Sequence, residues 1–327
     1  MKNFDYVQPR SESEVLELLS PEPGVTSLLA GGTDLVGLMK KMIVTPDRVV
    51  DIGDLPELRT IEMDATEQLW IGAGVRLDEF LSSSTTDPYP AVKQAIQGIS
   101  SIQLQAQGTV GGEILRRPLC WYFRDGHGLL ADNGKRIIHG DNRYHAILGN
   151  HGPAKFVSAS RLAPALVSLG AKVRVVGPDP DQESILPLES LYRTPRDESQ
   201  REHTLLPNQL LTHVILASDQ GDLSAAYEVR HGEGPDAPLA AAAATLQVVA
   251  GVIQKARIVL GQVAPIPWIS GEAERVCLGH PPDEDTASQA GEAAVAEAMP
   301  LSENGYKIQL AKVSVRRAIL RAAGSFI

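Results

Sequence analysis

Two pairs of glycines stand where an apolar run ends: Leu29-Ala30-Gly31-Gly32-Thr33-Asp34 and Thr109-Val110-Gly111-Gly112. Glycine lets a backbone approach a ligand closely, and free N–H groups at a strand-to-helix turn attract phosphate oxygens. Taken alone, a Gly-Gly turn needs no purpose beyond a φ above zero. Two such loops on one chain suggest a long, doubly phosphorylated cofactor held along the backbone.

Other chemistry has less support. Half of the eight histidines, His127, His139, His145 and His151, fall in one stretch with Cys120. Their spacing matches no metal motif and no CxxC accompanies them, so loop hydrogen bonding is their expected role. Gly72-Ala73-Gly74-Val75-Arg76-Leu77 begins like a dinucleotide fingerprint, but leucine stands where the third glycine belongs. No G-x-S-x-G elbow is present for a hydrolase. Nothing marks a partner base for Cys120, whose default role is a small buried residue. No catalytic residue and no metal is assigned.

The elements that must position the glycines follow from periodicity. Residues 25–30 (VTSLLA) read as a short buried strand. Residues 34–42 place Leu35, Leu38, Met39 and Met42 on one helical face, with Thr33 or Asp34 as its cap. Residues 48–52 (RVVDI) read as the next strand, which completes a βαβ-like unit. Ser11 and Glu14 form a capping box ahead of Val15, Leu16, Leu18 and Leu19. A strand at 69–75, a helix from 77 and a helix near 91–99 precede the second loop. Then come a hairpin tip at 178–183, a charged loop at 195–203 and a strand at 211–217. A break at 219–222 (DQGD) marks a domain boundary. Beyond it, 240–250 and 256–263 look like paired strands, and 286–298 is an alanine-rich helix. A terminal helix at 306–321 carries Lys307, Lys312, Arg316, Arg317 and Arg321, read as a solvated face.

Composition narrows the partners. A chain of 327 residues can bury a sizeable core and divide into two domains. The net charge of −10 argues against nucleic acid. No apolar run is long enough for a membrane span, and MKNFDYVQPR holds no apolar signal core. Two cysteines, Cys120 and Cys277, give no disulfide framework and suit a cytoplasmic location.

The aromatic segment CWYFRD (120–125) opens a stretch rich in Gly, Asp and Asn that closes with GDNRYHAILG (140–149). Together with LAGGTDLVGLMK (29–40), GTVGGEI (108–114), LAPALVSLGAKV (162–173), ARIVLGQVAPIPW (256–268) and PLSENGYKIQLAKVSVRRAIL (300–320), it covers nearly the whole chain in order. The set resembles the FAD-binding medium subunit of the molybdenum hydroxylases, the xanthine dehydrogenase-like enzymes. It resembles the branch with the CWYFR insertion, which includes bacterial aldehyde oxidoreductase flavin subunits.

The resemblance implies an α+β fold. Residues 1–219 would form a two-subdomain FAD-binding domain of the vanillyl-alcohol-oxidase type, divided at about 1–55 and 56–219, with an insertion at about 116–152. Residues 220–327 would form a smaller α+β domain with a three-stranded antiparallel sheet. The FAD pyrophosphate would lie against Leu29, Ala30, Gly31, Gly32, Thr33, Asp34 and Leu35, and against Gly108, Thr109, Gly111, Gly112 and Glu113. Arg161 and Leu211 would stand at the ribityl and flavin contacts.

Three departures stand out. The branch's 4Fe–4S cluster takes four cysteines; here only Cys120 stands at such a position and Ala154 replaces the last, so no cluster is expected. Glu113 replaces an asparagine, and near a pyrophosphate it would repel unless turned away. Arg161 replaces an aspartate and cannot accept a hydroxyl hydrogen bond. Trp121 and Tyr122 either cover the flavin or a partner interface, or are core aromatics of the insertion.

The implied function is electron transfer through FAD. A molybdopterin-binding large subunit and a 2Fe–2S small subunit would be partners, in a heterotrimer, with NAD or another molecule as acceptor. Two alternatives remain. One is a flavin-depleted structural subunit, motivated by Glu113 and Arg161. The other is a free-standing flavin oxidase, against which the absence of a covalent-attachment histidine motif weighs.

Overall fold

Ser11 starts the first helix as its spacing predicts, its hydroxyl accepting the Glu14 N–H at 3.2 Å. Glu14 reaches back to the N–H of Arg10 at 2.6 Å, one residue before the expected partner. The computed structural model describes residues 1–179, 181–218, 221–232, 234 and 236–325. Its first unit is β1 (Asp5–Val7), α1 (Glu12–Leu18), β2 (Thr26–Leu29), α2 (Leu35–Lys40) and β3 (Arg48–Asp51). The three strands pair in parallel in the order β1-β3-β2. The expected buried strand at 25–30 is therefore a half-buried edge strand, and the central β3 carries the buried Val49 and Val50. Val15, Leu16 and Leu19 close the core together with Val176 and Leu210 from the next unit.

The second unit runs through β4 (Ile61–Met63), β5 (Leu69–Gly72), α3 (Leu77–Ser82), α4 (Pro90–Gln97), α5 (Ile102–Gln107), α6 (Val110–Ile114), α7 (Trp121–Arg124), α8 (Lys135–His139), α9 (Leu162–Ser168), β6 (Lys172–Val176), β7 (Glu183–Pro187) and β8 (Leu210–Leu216). Its strands form an antiparallel sheet in the order β4-β5-β8-β6-β7. The strand expected at 69–75 ends at Gly72; beyond it the Ala73 N–H still donates to Thr212 of the sheet, while the Ala73 and Val75 carbonyls accept from the second glycine segment. That segment is not the expected loop: residues 110–114 are a helical turn, preceded by the unexpected helix α5.

The insertion has a small core of its own. Phe123, Leu129, Leu130, Ile137 and Phe156 cluster with Leu38 of α2. Ala131, Asp132 and Asn133 all have positive φ, followed by Gly134. Left-handed backbone costs about 1–2 kcal/mol per non-glycine residue. Glu198 holds the approach to this turn by accepting the N–H groups of Leu129 and Leu130 at 2.9 and 2.8 Å.

The last unit comprises β9 (Leu223–Val229), β10 (Ala240–Val249), β11 (Val252–Gly261), β12 (Trp268–Ile269), α10 (Gly271–Cys277), α11 (Glu284–Ala294) and α12 (Tyr306–Ala322). Asp219 and Gln220, at the expected domain break, lie outside the described residues. Three long antiparallel strands, β9, β10 and β11, match the expected sheet, and the two-residue β12 adds an edge. Strand side chains alternate between faces. Ala240, Ala242, Ala244 and Leu246 pack towards α10, α11 and α12, whereas Ala243 joins the core containing α4 and α9. Both faces of β10 are buried, which is why alanine dominates it. Gly261 is required because a Cβ there would lie 2.7 Å from Pro164 Cγ on α9.

The cations of α12 do not form one solvated face. Lys312 pairs with Glu292 at 2.5 Å and Arg316 with Glu284, both on α11. Arg317 donates to the Tyr227 hydroxyl and Arg321 to the Ala226 carbonyl. Lys307 is 1% exposed. Its Nζ donates to the carbonyls of Tyr144, His145 and Gln262 at 3.2, 3.2 and 2.7 Å. The helix lies across β9 and β10 and meets the end of the insertion, so cations on that side must find protein acceptors rather than water. Among the described residues, no helix is long and apolar enough to cross a membrane.

Candidate functional site

Strand β2 delivers the first glycine segment directly into α2. Gly32 has a φ of +69°, a conformation that costs glycine little. The N–H groups of Gly31, Gly32, Thr33, Asp34 and Leu35 donate to no acceptor among the described residues, while Val36 N–H is the first to close a turn, onto the Gly32 carbonyl. Five successive donors are therefore free for a ligand. Asp34 does not cap its own helix, contrary to expectation. Its carboxylate accepts Arg124 Nη2 at 2.7 Å and the Arg117 N–H at 3.0 Å. The insertion is thereby tied to the mouth of the first loop. Leu29 ends β2 and Ala30 follows it against the first core, while Leu35 opens α2 half-buried.

The second segment is built differently. Thr109 caps α6, its hydroxyl accepting the Gly112 N–H at 3.1 Å. Val110 and Gly111 N–H groups donate to the carbonyls of Val75 and Ala73 at 2.9 and 2.8 Å, and Leu77 N–H donates to Gly108. These donors are spent within the protein, so this segment offers no second run of free N–H groups. Gly111 is glycine for packing: a Cβ would lie 2.7 Å from that of Ala73. The two segments do meet. A Cβ on Gly31 would overlap the Gln107 carbonyl and lie 3.3 Å from Gly108 Cα.

Behind them is a buried charged cluster. Glu113 is 8% exposed. Its Oε1 accepts the Arg161 backbone N–H at 3.1 Å, and its Oε2 lies 3.6 Å from Arg116. Burial pushes its carboxyl pKa up, and Arg116 and Arg161 oppose that shift. The carboxylate is thus engaged by these partners. Arg161 is 4% exposed and donates from Nη1 to the Gly98 carbonyl at 2.6 Å and from Nη2 to the Asp236 carbonyl. Burial lowers its pKa while Glu228 and Glu113 resist.

Sequence reasoning missed Glu228 and Arg230. Arg230 donates to the same Gly98 carbonyl at 2.9 Å. Glu228 Oε1 lies 4.0 Å from Arg161 Nε, and burial pushes its pKa up to about 6. Two charges at i and i+2 in a strand share a face, and that spacing within YEVR was the available signal. Leu211 is buried in β8, in the core cluster that also holds Val110 and Ile114.

Cys120 has a neighbour that sequence spacing could not reveal: His145 Nε2 is 3.2 Å from its Sγ. Burial raises the thiol pKa and lowers the His145 pKa to about 4, so both groups are neutral and the thiol is not activated. Trp121 packs edge-on against Tyr122, Tyr144 and His145. Among the described residues, no group of three or more His, Cys, Asp or Glu is placed to hold a metal.

The FAD binding domain in molybdopterin dehydrogenase matches residues 2–217, and the CO dehydrogenase flavoprotein C-terminal domain matches residues 225–322. The aldehyde oxidoreductase FAD-binding subunit PaoB of Escherichia coli K12 is 30% identical over 331 residues, covering 98% of this chain and 99% of that protein. The carbon monoxide dehydrogenase medium chain of Afipia carboxidovorans is 26% identical over 327 residues, covering 98% and 96%. The solved Cu,Mo-CO dehydrogenase in its cyanide-inactivated form shares the fold with a TM-score of 0.76 at 24% identity, over 99% of both chains. Quinoline 2-oxidoreductase from Pseudomonas putida 86 does so with a TM-score of 0.75 at 21% identity, again over 99% of both. With two family matches in order and a relative at 30% identity over nearly all its length, this chain is an oxidoreductase subunit of the molybdopterin dehydrogenase family and carries that family's FAD-binding domain.

Proposed function

We propose that this chain is the FAD-carrying electron-transfer subunit of a molybdenum hydroxylase complex. It would take electrons from a 2Fe–2S partner beside a molybdopterin-binding subunit and pass them to an external acceptor such as NAD. The observation that carries this reading is the run of five unspent N–H groups from Gly31 to Leu35, set against the second glycine segment. Successive backbone donors of this kind suit a pyrophosphate, so the residues present fit the cofactor at that end.

FAD, when bound, supplies the capacity to collect two electrons and release them to an acceptor. The chain's own residues do the holding. Gly31, Gly32, Thr33, Asp34 and Leu35 would donate to phosphate oxygens. Glu113 would not repel them, because its carboxylate is engaged by the Arg161 N–H and faces Arg116. Thr109, Gly111 and Gly112 would serve as a wall, since the Val110 and Gly111 N–H groups hold α6 onto Val75 and Ala73 and the Gly112 N–H is taken by the Thr109 hydroxyl. Asp34 would keep the insertion closed over the loop through Arg124. Leu211 would contribute from the buried core, and Arg161 through the charged cluster.

A flavin-free scaffold is the second reading, favoured by the buried Arg161 and Glu113 that replace a family aspartate and asparagine. The visible spectrum of the purified chain decides between them. Flavin bands that are lost on heat release, with FAD recovered in the supernatant, are expected. A colourless chain that also fails to take up added FAD would overturn the flavoprotein reading and leave the scaffold.

A further inference from the structure

The insertion carries charge of the opposite sign to the chain around it. Residues 116–152 hold six cations, Arg116, Arg117, Arg124, Lys135, Arg136 and Arg143, against Asp125, Asp132 and Asp141. That net +3 leaves −13 on the rest of a chain of −10. Four of the cations are engaged: Arg116 faces Glu113, Arg117 and Arg124 pair with Glu202 and Asp34, and Arg143 takes Asp141. Lys135 and Arg136 on α8 are exposed, as are Lys40 and Lys41 where α2 ends. Among the described residues, none of these last four has an ion pair or a side-chain hydrogen bond. Of the insertion's other carboxylates, Asp125 lies 3.7 Å from His127, and Asp132 is exposed.

The two pairs of free cations share one face. Lys41 lines a cleft of about 390 Å³ with Trp121, Tyr122, Arg124, Asp125 and His127. Tyr122 runs from this cleft to α8, since a Cβ on Gly140 would meet both its hydroxyl and the Arg136 carbonyl. Trp121 meets Tyr144 edge-on, with ring centroids 5.3 Å apart. Tyr144 is 45% exposed, Met42 beside Lys41 is 53% exposed and Ile138 on α8 is 42% exposed. Exposed aromatics and methionine among arginines are the composition of a protein interface. Free cations around them select a partner with carboxylates. The partner must also be small, because fields decay within about 8 Å at physiological salt. A long polyanion or an anionic membrane would reach past the patch and meet the acidic remainder of the chain. The face adjoins the first glycine segment: Arg124 of the cleft bonds Asp34 at 2.7 Å.

We propose that the external acceptor is a small acidic one-electron carrier protein that docks on this face, with its carboxylates against Lys41, Lys135 and Arg136 and an apolar side chain in the cleft. This rests on the FAD reading above. Two oxidised carriers, docking in turn, would each take one electron of the pair held by reduced FAD, and two protons would pass to water. The test uses the 327-residue chain, with flavodoxin and a plant-type ferredoxin as probes. Binding is measured by titration calorimetry at low and at physiological ionic strength. The patch variant is Lys41→Glu with Arg136→Glu. The control is Lys172→Glu with Lys255→Glu, which changes net charge equally at exposed positions on β6 and β11. At least one carrier should bind the wild type, more tightly at low salt. The patch variant should bind it roughly 10-fold more weakly, and the control variant like the wild type. Failure of both carriers to bind the wild type overturns the proposal, as does equal weakening by the two variants. So does tighter binding of duplex DNA or phosphatidylserine vesicles through Lys41 and Arg136. A patch variant that no longer joins molybdopterin and 2Fe–2S subunits also overturns it, by making this face an interface inside the complex. The flavin bands of the same samples report the FAD reading separately, and a colourless chain that takes up no FAD overturns that reading whatever the carriers do.

Discussion

Lys307→Met removes the most deeply buried cation of α12 while keeping its length. In the folded chain the ammonium faces three carbonyls and no water. Burial pushes its pKa from 10.5 down to about 7. In the unfolded chain the lysine keeps its ordinary value. Between these two pKa values the unfolded state binds more protons than the folded one, so wild-type stability rises with pH across that window. The slope is at most about 1.4 kcal/mol per pH unit. One proton sets that limit; the three carbonyls favour the ammonium and oppose the burial, which narrows the window rather than the slope. Below about pH 7 both states hold the proton and this contribution is flat. Methionine has no such slope. It also strips the Tyr144 and Gln262 carbonyls of this donor, whereas the His145 carbonyl keeps Asn304 Nδ2 at 3.1 Å. Each buried unsatisfied acceptor costs about 1–3 kcal/mol. At pH 6 that loss is offset by relief of the buried charge; at pH 9 it is not. The variant should fall behind the wild type by roughly 2–3 kcal/mol more at pH 9 than at pH 6. Urea denaturation of both chains at the two pH values, with the unfolding slope checked for constancy, measures this. A difference that does not grow between pH 6 and pH 9 would refute the reasoning.

Gly31→Ala forces a Cβ onto the Gln107 carbonyl. It should lower stability by about 1–3 kcal/mol and abolish FAD uptake, while Gly37→Ala, in open space on α2, should raise stability by about 0.5–1 kcal/mol; thermal melts with FAD titration report both, and equal behaviour of the two variants would defeat the close-approach argument. Burial raises the thiol pKa of Cys120 and, together with Glu274, pushes that of Cys277 up to about 12. Neither thiol should react with an aromatic disulfide reagent at about pH 8 until urea is added, and rapid release of one equivalent from the folded chain would contradict the burial of that pair.

The residues alone determined the local units. Ser11 and Glu14 start α1, and the apolar spacing of Leu35, Leu38 and Met39 builds α2 between two strands, because caps and periodicity act within a turn or two of the chain. The two glycine runs and the ordered family segments were equally plain, and they carried the FAD reading. What each group does was not legible. Asp34 is a reasonable cap by type, but its carboxylate goes to Arg124, ninety positions on. The second glycine pair looks like the first, yet its N–H groups are spent on the Ala73 carbonyl and the Thr109 hydroxyl, and Gly111 is there for the sake of Ala73. Lys307 shares a helix with four other cations and is the one that the insertion covers. Glu228 reads as a polar residue on an edge strand until Arg161 and Gly98 close over it. A buried charge or donor takes whatever partner the packed layers bring within about 3 Å. That partner is chosen by long-range packing of the three sheets, which no local pattern encodes.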